Sequence, residues 1–143
     1  MLSRIGLVAV AVVAVAWFAV LLVDQHTVNR GFAAPAGGVP ALVAQLRTPA
    51  RFNARVSDLR RGQFLNPDAA AELQIAVYLQ IRDQRGDLDH ALRIAETVVR
   101  REPENVEAWV NVSSIQRDRH DLPGEQAALG RARRLDPIDF RQS

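Results

Sequence analysis

The chain has 143 residues, enough for one modest domain, and 48% of them are hydrophobic. The absence of cysteine excludes a disulfide framework, a thiolate metal site and covalent haem attachment. All 18 basic residues are arginine, and the formal net charge of +2 gives no indication of a polyanionic partner.

The first predicted element is an apolar run from Ile5 to Val23, which contains no charged or polar side chain. As a helix rising 1.5 Å per residue, it spans about 28 Å, close to the hydrocarbon thickness of a bilayer. The alternative is a cleaved signal peptide, whose apolar region is usually about 7–15 residues long with a small-residue site directly after it. Here the nearest such site, GFAAPAG, lies about ten residues downstream. The run therefore predicts residues 1–23 as an uncleaved transmembrane anchor.

The charges around this span give a weak indication of its orientation. Arg4 precedes the span and Asp24 follows it, so the positive-inside rule favours a cytoplasmic N-terminus with the remaining chain outside the cytoplasm. Arg47 and Arg51 favour the reverse, from positions further along the chain where the rule is weaker. The use of arginine without lysine, together with abundant alanine and valine, is typical of a GC-rich bacterial genome. We therefore expect a bacterial cell-envelope protein.

Residues 24–49 contain Gly, Ala and Pro without an apolar period, which predicts a linker with one possible short helix, PALVAQLR. Residues 50–67 follow, where Phe52, Val56 and Leu59 recur at helical spacing. This helix is expected to end at Asn66-Pro67, since a residue before proline is disfavoured in the α region.

Residues 68–105 and 106–143 form two similar units, each predicted as two helices joined by a tight turn and closed by a proline. In the first unit, Gly86 supplies the turn and Pro103 the end. In the second unit, Asp121 caps the second helix, and Pro137 closes it at the position equivalent to Pro103. No segment has the sustained alternation of a strand, so the part after the anchor is predicted to be all-α.

The distance along the chain between the two closing prolines is the repeat period. At roughly 34 residues for each helical pair, it resembles that of the tetratricopeptide repeat (TPR) family. In the second unit the resemblance is carried by a Trp in the first helix, a small residue four positions later, the turn, a small residue in the second helix and the closing Pro: Trp109, Ser113, His120-Asp121, Ala132 and Pro137. In the first unit it is carried by Gly86-Asp87, Ala91, Ala95 and Pro103. Ile75 replaces the usual Trp there, and His120 replaces the turn Gly in the second unit.

The resemblance implies a short α-solenoid of about 2.5 repeats, with residues 50–67 as a degenerate half-repeat. It also implies that Trp109 is a core residue where the two helices of its unit meet. In this family the first helices line a concave groove that binds peptides or partner helices. The matching positions are Leu73, Ala76, Gln80, Asp83, Gln84, Glu107, Val110, Ser114, Arg117 and Asp118.

Arginine is concentrated in the segment between the predicted anchor and the first unit. A basic segment close to a membrane can contact lipid headgroups or an acidic partner. The predicted membrane-proximal basic surface consists of Arg47, Arg51, Arg55, Arg60 and Arg61.

No pattern in the chain indicates catalysis. The three histidines, His26, His90 and His120, lie far apart in the sequence. None of them has a second metal ligand or a catalytic base at the spacing of a known type of site. Phosphate loops, nucleophile elbows and paired-carboxylate motifs are absent, so we expect no enzyme activity, cofactor, metal, nucleic-acid partner or small-molecule substrate.

The predicted function is protein binding, as an accessory or scaffold subunit of a membrane complex with an integral membrane protein as partner. The alternative is a free-standing periplasmic chaperone-like protein that binds unfolded or unassembled clients.

Overall fold

The computed structural model of the protein describes residues 35–65 and 69–137. These residues form six α-helices and no strand, which confirms the all-α prediction for this part of the chain. The helices are α1 (Gly38–Leu46), α2 (Pro49–Leu65), α3 (Ala69–Arg82), α4 (Asp87–Arg101), α5 (Val106–Asp118) and α6 (Leu122–Leu135). None of them is long and apolar enough to cross a membrane. The predicted span, residues 5–23, lies outside the described residues.

Local sequence signals account for the helix ends of the two similar units. The side chain of Asn105 accepts a hydrogen bond from the Ala108 amide at the start of α5, and Asp121 caps α6 in the same way. Gly86, before α4, has φ 84°, and His120, one repeat period later, has φ 62°. The two turns therefore have the same left-handed backbone conformation at equivalent positions. Glycine adopts this conformation readily, whereas histidine does so at a cost in energy.

The helices follow one another as three pairs: α1 with α2, α3 with α4, and α5 with α6. The second helix of each pair also packs against the first helix of the next, so that α2 contacts α3 and α4 contacts α5. In addition, the first helices contact each other, α1 with α3 and α3 with α5. The same three kinds of contact thus recur along the chain, and they stack the pairs into a continuous array.

One apolar core runs through this array, which is expected because a single helical pair cannot bury its apolar face alone. The largest fully buried side chains come from five of the six helices: Leu46, Leu59, Leu73, Tyr78, Leu79, Val98 and Ile115. Small residues lie where α4 and α6 approach their neighbours, and Ala91, Ala95 and Ala132 are completely buried. The alanines expected from the repeat pattern therefore occupy close-packed positions.

Helix α1 lies within the segment that the sequence predicts as a linker with a possible short helix. The helix is present, and its last residue, Leu46, has no exposed surface. Leu42 packs against the same core. Residues 38–46 are thus part of the folded array rather than a tether, and they make a short first helix for the pair completed by α2.

Trp109 does not occupy the position that the sequence predicts for it. It is half-buried and packs at the edge of the core, while Ala108 and Val112 of the same helix are buried. Its indole Nε1 donates a 2.9 Å hydrogen bond to the carbonyl oxygen of Pro103. Trp109 therefore connects α5 to the preceding proline turn, and the prediction of a core residue where α5 and α6 meet is corrected to a half-buried residue packed against the core.

Candidate functional site

The first helices of the three pairs share one face, and a cleft of about 610 Å³ opens on it beside α3 and α5. We call it the α3–α5 cleft. It is lined by Arg47, Gln80, Ile81, Asp83, Leu88, Arg117, Asp118 and His120. Four of the ten predicted groove residues meet here, and Arg47, from the turn after α1, joins them.

Gln80 connects the two helices at the floor of this cleft. Its amide nitrogen donates a 2.9 Å hydrogen bond to the Ser114 hydroxyl and a second bond, of 2.5 Å, to an Asp118 carboxylate oxygen. Because α3 and α5 are held together by side chains of the cleft itself, the relative position of its two walls is set before any ligand binds.

The charges of the cleft are mixed and only partly paired. The Arg117 guanidinium lies 3.9 Å from the Asp118 carboxylate and donates a 3.3 Å hydrogen bond to the Ser114 hydroxyl. Within the described residues, Arg47 and His120 have no hydrogen-bond or ion-pair partner for their side chains. Two guanidinium groups, of Arg47 and Arg117, and two carboxylates, of Asp83 and Asp118, line the cleft, so it offers both charges to a polar ligand.

The turn that borders the cleft between α3 and α4 is held by an ion pair. Arg82 donates hydrogen bonds of 2.7 and 2.5 Å to the two carboxylate oxygens of Asp87, and the Gln84 amide donates a third, of 2.9 Å. The bond from Arg82 lowers the pKa of Asp87, although burial opposes this shift. Asp87 in turn raises the pKa of Arg82, whose guanidinium stacks 3.8 Å from the centroid of the Phe52 ring.

Two predicted groove residues are buried instead of lining the groove. Leu73 has 1% of its surface exposed and Ala76 has none. Helix α3 packs against α1, α2, α4 and α5, and neither side chain is accessible to a partner in this structure. The prediction of these two residues as groove contacts is therefore corrected.

The remaining predicted groove residues lie around the cleft without lining it. Ser114 is bonded to Gln80 at its floor. Glu107 and Val110 are exposed nearer the start of α5, and Val110 has 40% of its surface exposed. Gln84 lines a neighbouring cavity of about 370 Å³ beside the α3–α4 turn. Of α3 and α5, only the C-terminal halves therefore line the cleft.

The five arginines predicted as one basic surface lie in different environments. Arg55 is half-buried, and its guanidinium bonds to the Gln45 side chain at 3.0 Å and to the Tyr78 hydroxyl at 3.3 Å. It joins α1, α2 and α3 and is not available as a surface charge, which corrects the prediction for this residue. Arg47 lines the α3–α5 cleft, Arg51 is exposed, and Arg60 and Arg61 line cavities elsewhere.

Four lining residues of the cleft were absent from the predicted groove: Arg47, Ile81, Leu88 and His120. A signal for His120 existed, because it lies one repeat period after the turn residue Gly86 and therefore at the equivalent bend. Arg47 carried no such signal, because its approach to the cleft depends on how α1 packs against α3.

The comparisons with known proteins add no relative: neither a protein-family model nor a curated protein matches this chain. Among the described residues, no three His, Cys, Asp or Glu side chains form a group able to hold a metal ion. The functional argument therefore rests on the internal repeat register and on the geometry of the cleft.

Proposed function

We propose that this chain is a TPR-like α-solenoid protein that binds another protein through the α3–α5 cleft. In this proposal it is an accessory or scaffold subunit of a bacterial membrane or cell-envelope complex, anchored by residues 5–23. It has no catalytic residues and takes no cofactor, and its partner is an integral membrane protein or a complex that contains one.

The main observation in support of the proposal is that the contacts between helices repeat with the same period as the sequence. Gly86 and His120 are one repeat period apart and share a left-handed turn conformation. Gln80 and Ser114 are separated by the same period, and their side chains bond to each other on the face formed by the first helices. This is the face with which TPR proteins hold their partners, so the resemblance in sequence and the position of the cleft support the same function.

The chemistry of the cleft favours a specific partner over unfolded clients. Six of its eight lining side chains are polar or charged, and only Ile81 and Leu88 are apolar. A chaperone that binds many unfolded chains needs an accessible apolar surface, because exposed apolar side chains are what its clients share. A polar cleft with fixed hydrogen-bonding groups instead discriminates among ligands by the positions of their charges and donors. We therefore retain the scaffold function and rank the chaperone alternative below it.

A co-purification experiment with charge-reversal variants tests the proposal. The tagged full-length chain is isolated from membranes in a mild detergent, and bound proteins are quantified by mass spectrometry. We expect one partner at a fixed stoichiometry, and we expect Arg47→Glu combined with Arg117→Glu to release it. The matched control is Arg134→Glu, which reverses an exposed charge on α6 outside the cleft. Many substoichiometric clients would favour the chaperone, and unchanged binding by the double variant would exclude the cleft.

The anchor is tested separately on the purified protein. Residues 5–23 are of spanning length and uncharged, so we propose that they remain in the mature protein. Mass spectrometry of the intact protein and of its N-terminal peptide is expected to find residues 1–23. A mature N-terminus at or beyond Pro35 would contradict the anchor and indicate a cleaved signal peptide instead.

A further inference from the structure

A second cavity lies away from the α3–α5 cleft, where α2, α3 and α4 meet. We call it the α2–α4 pocket. Its volume is about 320 Å³, and it is lined by Arg60, Glu72, Ile75, His90, Arg93, Ile94 and Thr97. The protein-binding proposal does not use this cavity, and its lining combines basic side chains with an apolar base.

The charges in this pocket are predominantly positive. Arg60 on α2 and Arg93 on α4 are exposed, and neither guanidinium has a hydrogen-bond or ion-pair partner within the described residues. His90 adds a third basic side chain. The single carboxylate of the lining, Glu72, accepts a 2.9 Å hydrogen bond from Arg101. Two guanidinium groups from different helices therefore face one cavity, while its carboxylate already has a cationic partner.

The other lining residues make the pocket suitable for a ligand that is anionic at one end only. Ile75 is buried and Ile94 is half-buried, and together they supply an apolar surface beside the guanidinium groups. The Thr97 hydroxyl is engaged locally, since it donates to the Arg93 carbonyl oxygen at 2.7 Å and accepts from Arg100 at 2.9 Å. The guanidinium donors of Arg60 and Arg93 remain free to bind a ligand, and an anion is a ligand that uses donors alone.

A neighbouring cavity extends the same basic surface. It is lined by Asn53, Val56, Ser57, Arg60 and Arg61, so Arg60 belongs to both cavities. The basic side chains thus continue from α4 across Arg60 to Arg61 near the end of α2. A guanidinium group presents a planar set of donors that matches two oxygens of a phosphate. Several guanidinium groups in a row suit a phosphate better than they suit a single carboxylate.

We propose that the α2–α4 pocket binds a phosphate group, held between Arg60 and Arg93, with the apolar part of the ligand against Ile75 and Ile94. Two sources carry this chemistry: the headgroup of an anionic phospholipid and a soluble organic phosphate ester. The phosphate itself is common to both, and the site is independent of the partner bound in the α3–α5 cleft.

The phosphate site is tested by calorimetric titration of the full-length chain in an uncharged detergent, with inorganic phosphate and glycerol 3-phosphate as probes at constant ionic strength. We expect saturable binding of both, and we expect Arg60→Gln and Arg93→Gln each to weaken it roughly tenfold, as the loss of one charge-assisted hydrogen bond would. The control is Arg51→Gln with Arg134→Gln, two exposed arginines outside the pocket, which is expected to leave the affinity within about twofold. Binding no stronger than that of chloride, or equal binding by Arg60→Gln/Arg93→Gln, would overturn the proposal.

A second measurement distinguishes the two sources. The chain is placed in nanodiscs of phosphatidylglycerol or of phosphatidylcholine, and amide hydrogen exchange is followed in residues 53–61 and 90–97. Slower exchange in phosphatidylglycerol alone, abolished by Arg60→Gln/Arg93→Gln, assigns the headgroup of an anionic lipid. Slower exchange only after glycerol 3-phosphate is added, in either lipid, assigns a soluble ester. Exchange that responds to neither probe would contradict the site.

Discussion

The Gln80 amide donates a 2.9 Å hydrogen bond to the hydroxyl of Ser114, the residue that follows it by one repeat period. The two side chains belong to the first helices of successive pairs, and Gln80 also bonds to Asp118 on the same neighbouring helix. Two residues at equivalent positions of successive repeats are therefore in direct contact. Gln80 also lines the α3–α5 cleft, so the stability of the array and the shape of the cleft depend on the same side chain.

Replacing Gln80 tests this dependence. We expect Gln80→Ala to lower the free energy of unfolding by about 1 kcal/mol, the usual net contribution of a hydrogen bond between side chains. Chemical denaturation followed by circular dichroism measures it. Gln74→Ala is the control, because Gln74 lies on the same helix, is half-buried and has no side-chain hydrogen-bond partner within the described residues. A double-mutant cycle with Ser114→Ala should give a coupling of at least about 0.5 kcal/mol, and additive effects would contradict a direct bond.

Asp87 is expected to be the most sensitive charged residue of the array. Only 7% of its side chain and 17% of the Arg82 side chain are exposed, so Asp87→Asn leaves a largely buried guanidinium without its counter-charge. The expected loss is about 3 kcal/mol, the cost of breaking a buried ion pair. Asp89→Asn is the matched control, because its carboxylate is 60% exposed in its 2.9 Å pair with Arg119, and it should cost less than about 1 kcal/mol. Equal losses in the two variants would contradict the assignment.

The contribution of Asp87 should also depend on pH. Its pKa in the folded chain is lowered from the usual 3.8, first by the hydrogen bond from Arg82. The carboxylate therefore stabilises the fold above its pKa in the unfolded chain, and this stabilisation is lost as the pH falls through the folded value. Urea denaturation of the wild type and of Asp87→Asn should give a constant difference between about pH 5 and pH 7. The difference should shrink as the pH falls below about 4, and a difference at pH 2 as large as that at pH 7 would refute this role.

The left-handed turn at His120 offers a stabilising substitution. A side chain at φ 62° costs about 1–2 kcal/mol relative to glycine, part of which is offset by the greater freedom of glycine in the unfolded chain. We expect His120→Gly to raise the free energy of unfolding by about 0.5–1 kcal/mol. Gly86→Ala, at the equivalent turn, should lower it by a similar amount. His90→Gly, within α4, is the control and should destabilise by about 0.4 kcal/mol, and a stabilising effect there would show that turn geometry is not the cause.

Trp109 should contribute less than a fully buried tryptophan. Because it is half-buried, we expect Trp109→Ala to cost about 2 kcal/mol, below the 3–5 kcal/mol of a complete core truncation. Trp109→Phe keeps most of the packing and removes the 2.9 Å bond to the Pro103 carbonyl oxygen, so it should cost about 1 kcal/mol. Thermal and denaturant unfolding of the two variants measure these values. A phenylalanine variant as stable as the wild type would mean that the bond to the proline turn contributes nothing.

The helices and their ends were largely predictable because they depend on short-range chemistry. Gly86 and Asp121 act within a few residues of their own position, through backbone conformation or a capping hydrogen bond. The apolar spacing within α2 likewise placed Phe52, Val56 and Leu59 on a buried face.

The residues of the site were less predictable than the helices. Of the groove positions that the TPR resemblance implied, Gln80, Asp83, Arg117 and Asp118 line the cleft, whereas Leu73 and Ala76 are buried.

By itself, the sequence determined the all-α architecture of the described residues and the register in which Gln80 meets Ser114, because helical period, turn residues and repeat length are local or periodic properties. The tertiary structure alone decided which faces stay open. Periodicity gives the direction of a side chain around its own helix, but not which distant segment covers it. Leu73 and Ala76 are buried in the packed array, whereas Arg47 lines the cleft and Arg55 donates a hydrogen bond to Tyr78.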